Sequence, residues 1–130
     1  MTHDPVVHFE MPYEDAARVS KFYTDAFGWT MTQMGEELGK YVMAHAAETD
    51  EHNMVKNPGQ INGGFFLKNS PDVGPNVVIA VEDIEASLTK IRDAGATGID
   101  GPMDIPGIGK YVTFRDSEGN RVSMLQPARA

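Results

Sequence analysis

Gly39-Lys40-Tyr41-Val42-Met43-Ala44 returns 70 residues later as Gly109-Lys110-Tyr111-Val112-Thr113-Phe114. The segments upstream of the two copies share one grammar. The first runs Val6-Val7-His8-Phe9-Glu10-Met11, then the acidic pair Glu14-Asp15, an amphipathic stretch Ala16 to Phe27, and Gly28. The second runs Val77-Val78-Ile79-Ala80-Val81, then Glu82-Asp83, Ile84 to Ala94, and Gly95. Two similar halves placed face to face would enclose a cleft, and that cleft is where function is to be sought.

Each half reads as β-α-β-β-β. Residues 6–11 are rich in Val and Phe and predict a strand, ended by Pro12. Glu14-Asp15 suit a helix start, where carboxylates accept orphan N–H bonds. Ala16, Val19, Phe22, Tyr23, Ala26 and Phe27 follow at helical spacing, and Gly28 stops the helix. Strands are expected at 29–34, 41–45 and 61–67, the last weakened by Gly63-Gly64, with a polar loop over 46–60. In the second half, strands are expected at 77–81, 97–100, 111–115 and 122–125, and a helix follows Asp83 with Ile84, Leu88, Ile91 and Ala94 on its buried face. Residues 101–109 read as a Gly/Pro-rich loop able to cover the cleft, and Asp116–Asn120 as a turn. One domain over 1–130 is expected, with modules at about 5–69 and 75–127 joined by Asn69–Pro75.

Composition narrows the function classes. A hydrophobic content of 41% and a charged content of 23% fit a globular chain with an ordinary core. The chain has no cysteine, so thiol nucleophiles and thiolate metal sites are out, and a reducing, cytoplasmic setting fits. A net charge of -8 with no basic stripe argues against nucleic acid. No apolar run is long enough to span a bilayer, and no leader segment is visible, so no membrane partner is expected.

Strand alternation assigns side chains to faces. Phe9 and Met11 should pack on the first helix, which leaves His8 and Glu10 on the opposite, cleft side. By the same rule Tyr41, Met43 and His45 face the cleft, as do their counterparts Tyr111, Thr113 and Arg115. Val77, Ile79 and Val81 are helix-facing, leaving Asn76, Val78 and Ala80 on the cleft side, and Ser123 lies between core residues Val122 and Met124. The ligand-binding candidates are therefore Tyr41, Met43, Asn76, Tyr111, Thr113, Arg115 and Ser123. A few polar groups set in Tyr and Met walls suit a small organic ligand. His8 and Glu10 are the catalytic candidates, as an acid–base pair. They also admit a structural reading, bonded to each other or to neighbouring tyrosines. Arg115 suits a carboxylate, or a pairing with Asp116 or Glu118 in the turn.

The order and spacing of these segments resemble the vicinal oxygen chelate superfamily of glyoxalase I, bleomycin-resistance proteins, fosfomycin-resistance enzymes and extradiol dioxygenases. The carriers are Val7-His8-Phe9-Glu10, Phe22-Tyr23 through Phe27-Gly28-Trp29, Val81-Glu82-Asp83-Ile84 to Asp93-Ala94-Gly95, and Asp116-Ser117-Glu118-Gly119-Asn120. The resemblance implies an α+β fold of two βαβββ modules curved into an open, cup-shaped barrel, commonly within a homodimer. It also implies a metal centre whose first ligand is His8. The second-half histidine position falls on Asn76, the last-strand carboxylate position on Ser123, and the fourth strand offers Gly63, Gly64 and Phe65. The usual ligand set is thus incomplete. A divalent ion would need a displaced set, His8, Glu10 and His45, which is two imidazoles and one carboxylate. Two functions follow from the resemblance. One is a lyase or isomerase acting through His8 and Glu10, with or without a metal. The other is a metal-free binding protein of the bleomycin-resistance kind.

Overall fold

The computed structural model describes residues 3–128. The first half contains β1 (Val6–Tyr13), α1 (Ala16–Phe27), β2 (Thr30–Gln33), a short 3-10 turn (Glu36–Leu38), β3 (Val42–His45) and β4 (Asn62–Leu67). The second contains β5 (Asn76–Ala80), α2 (Ile84–Asp93), β6 (Thr97–Ile105), β7 (Gly109–Arg115) and β8 (Arg121–Pro127). The class is α+β, and each half is the βαβββ unit that the repeat predicts. Contacts gather the chain into one unit from His8 to Pro75 and another from Asn76 onward that also takes the residues up to Val7. The N-terminal segment joins the second unit through the Ala80 N–H, which donates to the Pro5 carbonyl at 2.9 Å.

Topology repeats with the sequence. The first unit has strand order β2-β3-β4-β1, with β4 parallel to β1 and the other neighbours antiparallel. The second has β6-β7-β8-β5, with β8 parallel to β5 and the others antiparallel. The helices start where carboxylates satisfy free backbone donors. The Asp15 carboxylate accepts the Arg18 N–H at 3.0 Å, and Asp83 accepts the N–H groups of Glu85 and Ala86 at 3.1 and 3.2 Å. Gly28 ends α1 in the left-handed region at φ 73°, donating its N–H to the Thr24 carbonyl at 3.0 Å. The start of α2 is also tied to its own sheet, because the Ile84 N–H donates to Gln126 Oε1 at 2.9 Å.

Each unit has its own core on the helix side of its sheet. In the first, Tyr13, Val42, Ala44 and Phe65 are buried against Phe9, Met11, Val19, Tyr23 and Trp29, with Tyr23 and Trp29 stacked at 4.7 Å. In the second, Val81, Ile84, Leu88, Val112, Phe114 and Met124 are buried, with Ile79, Ile91 and Val122 packed on them. The helix-facing assignments of Phe9, Met11, Val42, Ala44, Ile79, Val81, Val122 and Met124 therefore hold.

Three stretches depart from expectation. First, β1 runs through Pro12 to Tyr13. Its parallel neighbour continues to Leu67, and the Lys68 N–H donates to the Tyr13 carbonyl at 2.8 Å, a bond that uses no proline donor. Second, residues 101–105 extend β6, so most of the expected cover loop is one strand of a β6–β7 hairpin. Register shifts on either side of Asp100 absorb the left-handed residues Gly98 and Gly101. Third, Val77 is exposed and lies outside the α2 core.

Leu88→Ala should cost roughly 2–5 kcal/mol in urea unfolding, because a fully packed side chain leaves a cavity. Exposed Lys90→Ala should stay within about 0.5 kcal/mol of the parent.

Candidate functional site

The Gly63-Gly64 pair in β4 shapes the first unit. A Cβ at Gly63 would run into the Phe9 ring, and one at Gly64 would run into the Tyr41 ring. Because successive strand residues face opposite ways, the two glycines let an aromatic ring lie flat on each side of the strand. Glu10 stands beside Gly64 in the β1–β4 ladder, and Met43 pairs with Gly64 from β3. Tyr41 enters just before β3, from a turn in which Gly39 and Lys40 both take positive φ, 63° and 58°. The Tyr13 hydroxyl holds that turn by donating to the Lys40 carbonyl at 2.7 Å.

The result is a chain of three side chains. The Tyr41 hydroxyl donates to Glu10 Oε2 at 2.9 Å, and His8 Nε2 lies 3.0 Å from the same hydroxyl. His8 and Glu10 both bond Tyr41, one of the neighbouring tyrosines open to them as partners. Glu10 is buried and His8 half-buried. Burial alone lowers the His8 pKa from 6.5 to about 4, so the imidazole is neutral near pH 7. With the Tyr41 proton directed at Glu10, the Tyr41 oxygen accepts from His8 Nε2–H, and the free lone pair sits on Nδ1. His8 Nδ1 accepts no hydrogen bond from a described residue.

The second unit carries a neutral counterpart. Tyr111 Oη and Ser123 Oγ lie 2.7 Å apart, and Ser123 Oγ donates to Asn76 Oδ1 at 3.4 Å. Ladder registers show how the two units correspond. Glu10, Gly64 and Met43 are cross-strand neighbours in the first unit, and Val78, Ser123 and Thr113 are cross-strand neighbours in the second. Counting two residues back along β1 and β5 makes His8 the counterpart of Asn76. The titratable pair of one unit is thus replaced by an amide and a valine in the other. Ser123 is fully buried and Asn76 nearly so, and Thr113 is half-buried opposite Ser123. Arg115 is exposed and spends a guanidinium donor on the Gly119 carbonyl at 2.9 Å. That fixes the turn after β7, by a backbone acceptor in place of the expected Asp116 or Glu118 partner.

The displaced metal set does not form. Among the described residues, no three His, Cys, Asp or Glu side chains come together so as to hold a metal ion, so His8, Glu10 and His45 are not such a group. His45 instead ends β3, paired with Thr30 of β2. The ligand positions implied by the fold family fit a metal no better. Asn76 and Ser123 are neutral and bonded to each other, and the space over Gly64 is filled by the Tyr41 ring. A shallow depression on the outer surface of α1, lined by Arg18, Lys21, Phe22, Asp25 and Ala26, contains none of these residues.

Sequence reasoning missed three contributors. Tyr13 was treated as lying past the strand end, and its role needed the Lys40 carbonyl to be placed. Gly64 was read as a weakness, although a Gly pair inside a strand is also the signal for close approach. Arg121 was passed over, although alternation from Ser123 puts it on the same sheet face.

Two outcomes follow for stability. Gly64→Ala should destabilise by about 1–3 kcal/mol through its clash with Tyr41, whereas Gly74→Ala, which meets open space, should not. Tyr41→Ala in the Gly64→Ala background should recover part of the loss, measured as coupling in a double-mutant cycle. The His8 shift sets a pH dependence. The folded value lies below the unfolded one, so between pH 6.5 and about 4 the unfolded state binds more protons and stability falls as pH falls. Over that window the wild type should lose roughly 3 kcal/mol more than His8→Gln in denaturant titrations.

The comparisons agree with this architecture. The sequence profile of the Glyoxalase/Bleomycin resistance protein/Dioxygenase superfamily matches residues 6–124. The anthracycline biosynthesis protein DnrV of Streptomyces peucetius is 30% identical over 124 residues, which is 85% of this chain and 42% of DnrV. The chain therefore spans less than half the length of that relative. A glyoxylase-like domain-containing protein of Didymella fabae is 26% identical over 123 residues, 91% of this chain and 90% of its own length. Among solved structures, a Streptomyces coelicolor methylmalonyl-CoA epimerase variant shares the fold with a TM-score of 0.72 at 16% identity, covering 98% of this chain and 100% of that one. Among the described residues no helix is long and apolar enough to cross a membrane. With its profile match and its duplicated βαβββ units, the chain belongs to the glyoxalase/bleomycin resistance/dioxygenase superfamily.

Proposed function

We propose that this protein is a glyoxalase-like lyase or isomerase in which His8 moves a proton of a small organic substrate. The observation that carries this reading is the Tyr41 hydroxyl standing between His8 Nε2 and Glu10 Oε2. His8 Nδ1 takes a proton from a C–H made acidic by a neighbouring carbonyl, and the C–H electron pair becomes an enolate; from an O–H it takes the proton and leaves an alkoxide. The resulting imidazolium keeps donating its Nε2–H to the Tyr41 oxygen, and the Tyr41 hydroxyl keeps donating to the Glu10 carboxylate. The new positive charge is thereby linked through one hydroxyl to a negative one inside a partly desolvated site. Nδ1 then returns its proton to a carbon to complete an isomerisation, or to the leaving oxygen as the enolate pair breaks the C–O bond in an elimination. Acid–base transfer of this kind contributes about 10²–10⁴-fold. The similarity in fold to an epimerase supports proton transfer as chemistry this scaffold can host, while the substrate stays open. We place the protein in the cytoplasm, which its cysteine-free composition suits, as the homodimer that the family resemblance implies.

The second reading is a metal-free binding protein. It is favoured by Asn76 and Ser123, a neutral bonded pair in two positions where the family would place metal ligands.

Solvent deuterium uptake separates the two. Ketones and thioesters with an acidic α-hydrogen are incubated with protein in D₂O and followed by proton NMR. Catalysed uptake by the wild type, reduced about 100-fold or more in His8→Gln and about 10-fold or more in Tyr41→Phe and Glu10→Gln, is expected. Saturable binding of a compound that shows no uptake would overturn the enzyme reading in favour of the binding one.

A further inference from the structure

β8 alternates cleanly. Val122 and Met124 pack into the α2 core, so Arg121, Ser123 and Leu125 face the other side of the second unit's sheet. That side holds the Asn76–Ser123–Tyr111 chain and half-buried Thr113. Arg121 is half-buried, yet its Nε is shielded from solvent and has no hydrogen-bond partner among the described residues. Nor does Arg121 enter an ion pair with a described residue. A guanidinium donor removed from water and left without an acceptor destabilises the fold unless something else satisfies it.

Its neighbours sharpen the point. Arg121 stands directly opposite Arg115 in the β7–β8 ladder, and like charges in that position repel. Arg115 is partly occupied by the Gly119 carbonyl. The carboxylates of the preceding turn do not pair with Arg121: Glu118 enters no ion pair with a described residue, and Asp116 accepts from the N–H groups of Glu118 and Asn120 and from Asn120 Nδ2, which holds it in the turn. In a chain of net charge -8, two guanidiniums face each other at this end of the sheet. No described residue supplies Arg121 with a side-chain acceptor or an ion pair.

We infer that Arg121 is an anion-recognition residue, and that the polar face of the second unit takes the oxyanion of a small ligand, a carboxylate or a phosphate. The terminal N–H groups of Arg121, which are not shielded and have no partner among the described residues, present parallel donors that match two oxygens of such a group. Arg121 supplies charge and direction, and the hydroxyls and amide beside it are neutral. The inference concerns the second unit by itself and goes beyond the proton-transfer reading of His8.

The test is an NMR titration of the full chain, following the Arg121 Nε–Hε signal, with sodium acetate, inorganic phosphate and, at matched ionic strength, sodium chloride. A saturable shift with acetate or phosphate but not with chloride is expected, and the stronger of the two identifies the class of oxyanion. Arg121→Lys keeps the charge but loses the paired donors, so thermal stabilisation by the same anions should weaken by at least tenfold in affinity. In Arg115→Lys the affinity should stay within about threefold of wild type. His8→Gln should bind the anion unchanged, which separates this result from any failure of the proton-transfer reading. No saturable response, a response equal to that of chloride, or unchanged anion affinity in Arg121→Lys would overturn the inference.

Discussion

The first unit is organised by a contact that involves almost no polar chemistry, an aromatic ring lying flat on a strand that has no side chain beneath it. Tyr41 can bring its hydroxyl between His8 and Glu10 only because Gly64 leaves room for the ring. Phe9 uses Gly63 in the same way on the other side, where it joins the Trp29 and Tyr23 cluster. Two adjacent glycines therefore set both the core packing and the polar chain of this unit. The entropy given up by glycine in a strand is set against close packing on both faces.

Duplication makes the second unit an internal control. The same topology, ladder register and Gly-Lys-Tyr-Val segment recur there, yet the side chains that meet are a serine, an asparagine and a tyrosine. A neutral chain of that kind can be buried without the cost of stranding a charge. The first unit carries the charge-bearing version, and burial holds its imidazole neutral. One scaffold thus presents two chemically distinct polar centres, one built on an imidazole and a carboxyl group and the other on an amide and hydroxyls.

Much of this was legible in the residues alone. The repeat gave the module count, and the spacing of Val19, Tyr23, Ile84 and Leu88 gave the helix faces. Alternation put His8, Glu10, Tyr41 and Ser123 opposite the helices. What stayed hidden was tertiary. Alternation can place Tyr41 on the face that carries His8 and Glu10, but no periodicity brings its hydroxyl between them. That depends on a turn in the left-handed region and on a missing side chain one strand away. The extension of β6 through Gly101-Pro102 was missed because glycine and proline ordinarily signal loops, whereas here register shifts accommodate them. Of the two roles open to Arg115, the turn contact forms, but to a backbone carbonyl that side-chain reasoning does not consider.

The grip of Tyr13 on residue 40 is made to a main-chain oxygen, so it does not depend on which side chain the turn displays. The surface at that corner is therefore free to drift, or to be rewritten with a label or an affinity handle, while Tyr41 stays in place behind it. The only demand the position makes is a backbone that tolerates a positive φ, for which glycine and asparagine are the natural substitutes.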